Sequence, residues 1–365
     1  LLYAGTETGM YISFDDGQSW KPFQLNLPIV PITDLAVKDN NLIVATQGRS
    51  LWILDDLSVL HQLQEGSRDA AMLLYTPKDA YRTQGGALRT PSKTAGQNHP
   101  AGVVTHYYLK DLAEKDSVSL TYTSMSGDTL AHFSSFAKEP GKKLQVEKGG
   151  NTHIWDTRGK GAERLDGMIL WWASLDGPKA VPGSYQVHLT AGGQTRTQTF
   201  KILPDPRAEV SVADMQRQHD FITDINSTVD RAHQSIKKIR KVNGQLDAFV
   251  EQYGADPRTE DLVERAKKMK EGFGEIEKAL YQTKNRSNQD PLNFPIKLTN
   301  KLGHLNSLVG LGDFPPTQQD VAVKNELTAA INTQLQAFDA MVDREISAFN
   351  KAFNDLNLNY LFIEE

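Results

Sequence analysis

Hydrophobic and polar residues alternate with a period of two through most of the first 60 positions, which is the pattern of half-buried β-strands. Glycine, asparagine and aspartate interrupt the alternation every few residues, so the strands are short and joined by turns. This pattern predicts one or two small antiparallel sheets. The six predicted strands cover residues 2–5, 10–13, 20–23, 34–37, 42–45 and 51–54.

The alternation returns after residues 63–100, a stretch that lacks periodicity and ends in glycine- and proline-rich sequence. This stretch is expected to be a surface connector. Seven short strands are predicted between residues 101 and 206, which is the number in an immunoglobulin-like or fibronectin-like β-sandwich. One of them covers residues 168–171, so alternation sends Trp171 and Trp172 to opposite faces of a sheet, with one expected in the core.

Beyond Pro204 the apolar residues change to spacings of three and four, which are typical of amphipathic helices. Four helices are predicted, with apolar stripes that begin at Ile222, Leu262, Leu298 and Val321. Short connections between them predict an antiparallel four-helix bundle. The expected fold is therefore multidomain, β plus α. Its parts are one or two propeller blades at 1–62, a connector at 63–100, an Ig-like β-sandwich at 101–206 and a helical bundle at 207–365.

The first sheet region contains the most specific local motif, SFDDGQSW, which matches the Asp-box pattern S-x-D-x-G-x-x-W at every fixed position. Asp15 is expected to accept hydrogen bonds from backbone amides of the turn, and Gly17 to adopt a left-handed conformation. Trp20 is expected to cover the hairpin. Ser13, Asp15, Gly17 and Trp20 are thus predicted to be structural, and a catalytic carboxylate at Asp15 is the alternative.

Asp boxes occur in β-propeller blades, and three features together resemble one class of propeller protein. They are the Asp-box hairpin, the phrase TQGRSLWILDDL at 46–57 and the polar loop YQTKNRSNQDPLNFP at 281–295. In the order blade, sandwich and helices, the chain resembles the carboxy-terminal third of large bacterial sortilin-like or BNR-repeat proteins, which commonly carry the label glycosyl hydrolase. The phrases NTHIWD at 151–156 and PGSYQV at 182–187 resemble bacterial Ig-like modules.

The resemblance implies an extracytoplasmic protein, either periplasmic, secreted or on the cell surface. Sortilin receptors carry cysteine-rich modules after the propeller, and this chain departs from them because it has no cysteine. A propeller is built from about four to eight blades, whereas this chain holds at most two. The remaining blades are therefore the expected partner, either before Leu1 in the same polypeptide or in a cleaved companion fragment. Other extracytoplasmic proteins or glycans are the further expected partners.

Composition narrows the function without defining it. The chain has 365 residues, 23% of them charged, and a formal net charge of -5, which gives no general attraction to nucleic acids or anionic membranes. No apolar run approaches the ~20 residues that span a bilayer. Without cysteine there is no thiolate nucleophile, and the sequence contains no P-loop, dinucleotide fingerprint or metal-ligand spacing. No cofactor and no metal are predicted.

Several residues are candidates for a chemical role. His106, His132, His153 and His188 fall on predicted strands and are interpreted as unrelated imidazoles. Glycoside hydrolysis needs two carboxylates about 5–10 Å apart, and Asp34, Asp55 and Asp56 at strand ends are candidates that are more simply turn residues. Trp171 and Trp172 form a candidate sugar-stacking pair. A candidate interaction loop contains Lys284, Asn285, Arg286, Asn288 and Asp290.

Two functions remain open at this stage. The first is a non-catalytic, carboxy-terminal region of an extracytoplasmic propeller protein with a scaffold or protein-interaction role. The alternative is part of a carbohydrate-active hydrolase whose catalytic residues lie mainly in blades outside this chain. No catalytic residue is predicted within the chain itself.

Overall fold

The computed structural model describes residues 1–63, 69–83, 98–111, 113 and 115–358. The fold combines β-sheets with α-helices, as the sequence predicts. The chain divides into two compact units. The first contains Leu1–Thr157 and Pro182–Arg207, and the second contains Arg158–Val181 and Ala208–Glu365.

Two small antiparallel sheets form the start of the first unit, and their six strands lie where the alternation predicts them. Their shared core contains Met10, Leu42, Val44 and Leu57. A short helix, α1 (Ser58–Gln62), follows the second sheet. The first sheet contains β1 (Leu2–Thr6), β2 (Gly9–Ser13) and β3 (Lys21–Pro22), and the second contains β4 (Ile32–Lys38), β5 (Asn41–Thr46) and β6 (Leu51–Leu54).

Two larger sheets complete the first unit. One has the strand order β11-β10-β13-β14-β8 and the other the order β12-β9-β7. Neighbouring strands are antiparallel except for β8, which pairs in parallel with β14. The strands are β7 (Met72–Leu74), β8 (Ala80–Arg82), β9 (Val103–Leu109), β10 (Val118–Ser124), β11 (Thr129–Ser134), β12 (Gly149–Trp155), β13 (Gly183–Ala191) and β14 (Gln194–Pro204).

These two sheets face each other across an aromatic core. Tyr122 of β10 stacks on Trp155 of β12 with ring centroids 4.6 Å apart, and Phe200 of β14 meets Tyr122 edge-on. The buried Tyr122 hydroxyl forms a hydrogen bond of 2.8 Å with Thr105 on β9. A buried phenol needs such a partner, so this pair fixes how the two sheets face each other.

The expected connector at 63–100 is only partly a connector. Its residues 72–74 and 80–82 form β7 and β8, one in each of the larger sheets. Each strand has three residues, too few for alternation to identify from sequence. The glycine- and proline-rich part at 84–97 lies outside the described residues.

The second unit is built on four helical stretches that share one hydrophobic core. Helix α2 begins after Ser211, whose side chain accepts a hydrogen bond from the Asp214 amide, and α5 begins with a capping box between Thr317 and Asp320. The fourth stretch runs from α5 through the π-helical segment Val342–Ile346 into α6. The helices are α2 (Val212–Tyr253), α3 (Glu260–Leu280), α4 (Leu298–Val309), α5 (Gln318–Met341) and α6 (Ser347–Asp355).

The segment Arg158–Val181, which we call the strap, belongs to the helical unit. The sequence-based boundaries placed it in the sandwich at 101–206, and the predicted strand at 168–171 is wrong because those residues form no strand. Ala162, Leu165 and Leu175 of the strap are buried in the core of the helical unit. The apolar residues of the strap thus pack on helices instead of completing a sheet.

Candidate functional site

The Asp box forms a closed hydrogen-bonded turn between β2 and β3. The Ser13 hydroxyl donates to the Asp15 carboxylate at 2.8 Å and accepts from the Gly17 amide at 2.8 Å. Asp15 also accepts from the Ser19 amide at 2.9 Å and from the Ser19 hydroxyl. Ser13 is buried, and Gly17 has a left-handed φ of 90°. Trp20 is only partly covered, with 41% of its surface exposed.

The carboxylate of Asp15 is therefore occupied by its own turn. Hydrogen bonds from the Ser19 hydroxyl and amide, together with the Ser13 hydroxyl, lower the pKa of Asp15 to about 2. Such an acid stays ionised at neutral pH and has no proton to donate to a leaving group. The geometry favours the structural interpretation of the motif over the catalytic alternative.

The candidate loop at 281–295 is organised around Asp290. Its carboxylate accepts hydrogen bonds from the amides of Arg286 and Ser287 and from the Ser287 hydroxyl, and the amide bonds lower its pKa. The Arg286 guanidinium donates back to the carbonyl of Thr283 at 2.9 Å. Asp290 and Arg286 thus hold the loop in shape.

The other three residues of that loop differ in exposure. Lys284 and Asn288 are exposed, and the Lys284 ammonium lies 5.7 Å from the centre of the Phe294 ring. Asn285 is 7% exposed, and its Oδ1 has no hydrogen-bond partner within the described ranges. Of these three residues, Lys284 and Asn288 are accessible to a partner, whereas Asn285 is not.

Trp171 and Trp172 lie together on the strap, and the expectation that they face opposite sides of a sheet is wrong. Their rings stack with centroids 6.2 Å apart and planes 18° apart. Trp171 is half-buried, whereas 74% of Trp172 is exposed. Trp172 also has a left-handed φ of 50°. The sequence missed this arrangement because an apolar run of strand length carries no sign of a turn within it.

Side chains from α4 hold the backbone of this tryptophan pair. The buried amide of Asn300 accepts a hydrogen bond from the Trp171 amide at 2.8 Å and donates to the Trp171 carbonyl at 2.9 Å. His304, one turn later, donates from Nδ1 to the Trp172 carbonyl at 2.6 Å. Three backbone polar groups of these two residues are therefore paired with the helix, which holds the backbone that carries the two indole rings.

Further polar contacts hold the strap on both sides of the tryptophan pair. The amide groups of Asn226 on α2 and Asn306 on α4 both donate to the Asp176 carbonyl, and they also bind each other at 3.0 Å. The Ile169 amide donates to the Tyr281 hydroxyl at 3.0 Å. These groups are buried side chains whose hydrogen-bonding capacity is used by the strap.

The four strand histidines do not form one site. His153 packs against the Phe133 ring, with centroids 4.3 Å apart, and its partial burial lowers its pKa. The other three bind threonines, in the pairs His106–Thr152, His132–Thr121, His188–Thr123 and His188–Thr197. Within the described ranges no three His, Asp or Glu side chains are grouped so that they could hold a metal ion.

Two of the three candidate carboxylates at the strand ends of the first sheets have local partners, and the third, Asp55, is exposed. Asp34 accepts from the amide of Leu35, and Asp56 accepts from the amide of Ser58 at the start of α1. These are turn and cap interactions.

A surface cavity of about 530 Å³ lies beside the π-helical segment. Charged side chains line most of it, and they pair with one another as Arg265–Glu345, Arg344–Glu345 and Lys268–Glu264. Because these charges neutralise each other at the surface, the cavity selects no particular ligand charge. No helix in the described part of the chain is long and apolar enough to cross a membrane.

Comparison with known proteins leaves the family open. No protein-family model and no curated protein matches this chain. A solved structure named "pT26-6p" is similar over 70% of this chain, at 9% sequence identity and a TM-score of 0.15. The similar region covers 48% of that protein, about half of its length. A likeness of this size carries no argument about fold or function.

Proposed function

We propose that this chain is a non-catalytic part of an extracytoplasmic Asp-box β-propeller protein, with a scaffold or protein-interaction role. In this proposal residues 1–62 are propeller blade sequence. The larger sheets are an Ig-like sandwich, and the helices form an antiparallel four-helix bundle. One observation carries the proposal: an apolar face of the sheet β4-β5-β6 is open to solvent.

The open face follows from the register of the three strands. Ile43 of β5 pairs with Ala36 of β4 and Ile53 of β6, so the three side chains share one face. Ala45 and Leu51 pair beside them on the same face. Ile53 is 60% exposed and Leu51 is 68% exposed. The opposite face, with Leu42 and Val44, packs in the small core.

The open face is therefore apolar at its centre, whereas Asp34 and Lys38 of β4 lie towards its ends on the same face. An antiparallel sheet with a solvated face normally carries polar residues there. In a propeller the blades are arranged around a central channel, and a neighbouring blade covers the face that is open here. The Asp-box turn before β3 supports the same proposal, since the motif is typical of propeller blades.

A photo-crosslinking experiment in the full-length endogenous protein tests this proposal. The photoreactive residue p-benzoylphenylalanine would replace Ile53, and a control would replace Thr195, an exposed polar residue of β14. We expect Ile53 to crosslink to an Asp-box strand outside residues 1–365, and Thr195 to give no such product. If Ile53 crosslinks only within residues 1–62, or gives the same products as Thr195, the face is not covered by another blade and the proposal is wrong.

The hydrolase alternative gains no observation in its favour from the described residues. Asp15, Asp34 and Asp56 each bind backbone amides of their own turns. Under that alternative the acid and the nucleophile or base would come from other blades. The crosslinked partner of Ile53 would then be the place to look for them.

A further inference from the structure

The backbone of Trp172 is unusual for a residue of its size. Its φ of 50° lies in the left-handed region, which glycine and asparagine adopt far more easily than a bulky aromatic residue. A glycine would therefore make the same turn in the strap at lower conformational cost. The turn alone does not explain why a tryptophan stands at this position.

Packing does not explain the residue either. A tryptophan usually compensates for an unfavourable backbone by burying its large apolar surface, but 74% of Trp172 is exposed. One face of the ring meets Trp171, with the planes 18° apart. An exposure of 74% leaves the opposite face open. Strained residues of this kind concentrate at ligand-binding positions, where the strain serves an external partner.

The backbone that carries the open ring is held by side chains of α4. Asn300 binds both backbone polar groups of Trp171, and His304 binds the Trp172 carbonyl. A carbonyl only accepts, so Nδ1 of His304 carries the proton of this bond. In the neutral ring Nε2 is then an acceptor. The side chains that bind the backbone of the tryptophan pair are thus an amide and an imidazole, both of which are hydrogen-bonding groups.

We propose that Trp171 and Trp172 form a binding platform for a neutral carbohydrate. A pyranose ring has an apolar C–H face that matches the open face of Trp172, and hydroxyl groups at its rim. One of those hydroxyls would donate to Nε2 of His304. This inference concerns the helical unit alone and stands whether or not the propeller proposal holds.

A carbohydrate suits the platform better than a protein does. A specific protein interface covers roughly 800 Å² on each partner, whereas one indole face accommodates a single sugar ring. Leu308 lies one helical turn beyond His304 and is 49% exposed, so a protein partner would extend over it. The effect of a Leu308 substitution on binding therefore distinguishes a protein ligand from a carbohydrate.

Affinity gel electrophoresis of the whole chain tests the proposal, with hydroxyethylcellulose, arabinoxylan, glucomannan, laminarin and dextran in separate gels. We expect at least one polysaccharide to retard the wild-type chain. Trp172→Gly should weaken the retardation about tenfold or more, as loss of a central aromatic contact does. It should not lower thermal stability, because glycine accepts the left-handed backbone. Two control variants should be retarded by the polysaccharide as strongly as the wild type. They are Trp20→Ala, which removes the other exposed tryptophan, and Leu308→Ser.

Three outcomes would overturn the proposal. The first is a wild-type chain that none of the five polysaccharides retards. The second is a Trp172→Gly variant that stays folded and is retarded as strongly as the wild type. The third is retardation that Leu308→Ser abolishes and Trp172→Gly does not, which would place binding on the helix surface instead.

Discussion

Replacing Asn300 by leucine should release the strap from the helical unit. Asn300 is 5% exposed, and its side-chain amide is the partner of both the amide and the carbonyl of Trp171. Leucine has the same branching at Cγ and the same number of side-chain heavy atoms, but it supplies no donor or acceptor. The perturbation therefore removes two hydrogen bonds, and the larger methyl groups add packing strain that also favours strap opening.

The size of the effect follows from those two bonds, which are 2.8 and 2.9 Å long. A buried polar group left without a partner costs about 1–3 kcal/mol. Trp171 is half-buried, so both groups regain water when this part of the strap lifts away. The lower end of the range then applies to each of the two polar groups, and the total cost to the docked strap is about 2 kcal/mol. At 1.4 kcal/mol for each factor of ten, strap opening becomes roughly 30-fold more frequent.

Amide hydrogen exchange measures this opening directly. The Trp171 amide donates to Asn300, and the Ser174 amide donates to the Gly303 carbonyl at 3.0 Å, so both are protected only while the strap is docked. In the Asn300→Leu variant we expect both amides to exchange about 30-fold faster. Amides in the middle of α2 that exchange by local fluctuation should keep the wild-type rate. Those that exchange only by global unfolding should speed up by no more than the same factor of about 30, because unfolding breaks the same two bonds.

Asn288→Leu is the matched control, since Asn288 is exposed on the 281–295 loop. This variant should leave the exchange of Trp171 and Ser174 unchanged. If Asn300→Leu speeds Trp171 exchange by less than about threefold, its hydrogen bonds do not hold the strap, and the reasoning is wrong. A larger acceleration in the middle of α2 than at Trp171 would also refute it, because loss of these two bonds cannot favour global unfolding more than it favours strap opening.

Three further predictions concern separate parts of the molecule. Gly177→Ala should destabilise the helical unit by about 1–3 kcal/mol in urea unfolding, because a Cβ there would lie 2.1 Å from the Gly159 carbonyl oxygen; a wild-type midpoint would contradict this. The pKa of Asp15 falls from 3.8 to about 2 in the folded state, so its stabilisation of the hairpin is complete above pH 3.8 and is lost as the pH falls towards 2. Thermal melts of Asp15→Asn should lack this acid dependence. Burial lowers the pKa of His233 below 6.5, so the helical unit should lose stability as the pH falls through 6.5. Urea unfolding at pH 5 and pH 8 measures this loss, which should be smaller in the His233→Gln variant.

The helices could be read from sequence because their signal is local and long. The stripe that begins at Leu262 continues through Ala266, Met269 and Phe273, and all four residues are buried in α3. Each added turn repeats the same spacing, so the pattern identifies both the helix and its buried face. The Asp-box hairpin was equally readable, because Ser13 and Asp15 bind groups within six residues of themselves.

The strap could not be read in the same way, because its structure depends on distant partners. Residues 168–171 have the composition of a buried strand, and short apolar runs do not reveal whether they pair with strands or pack on helices. The amide of Ile169 and both polar groups of Trp171 bind side chains more than 100 positions away. Strands β7 and β8 were missed for a related reason, since three residues acquire their conformation from the sheet they join.

A signal for the strap was nevertheless present on the helices. Asn226 lies between Ile222 and Val229 on the apolar stripe of α2, and Asn306 lies between Leu302 and Val309 on that of α4. A polar amide on an apolar stripe must find a hydrogen-bond partner, because burying an unpaired amide group costs free energy whereas burying an apolar side chain does not. The hydrogen bond between the two asparagines, across α2 and α4, still leaves amide N–H groups of both residues without a helix partner. These positions therefore indicate that an irregular segment with open carbonyls covers the helices. The Asp176 carbonyl, which accepts from both asparagines, is that partner.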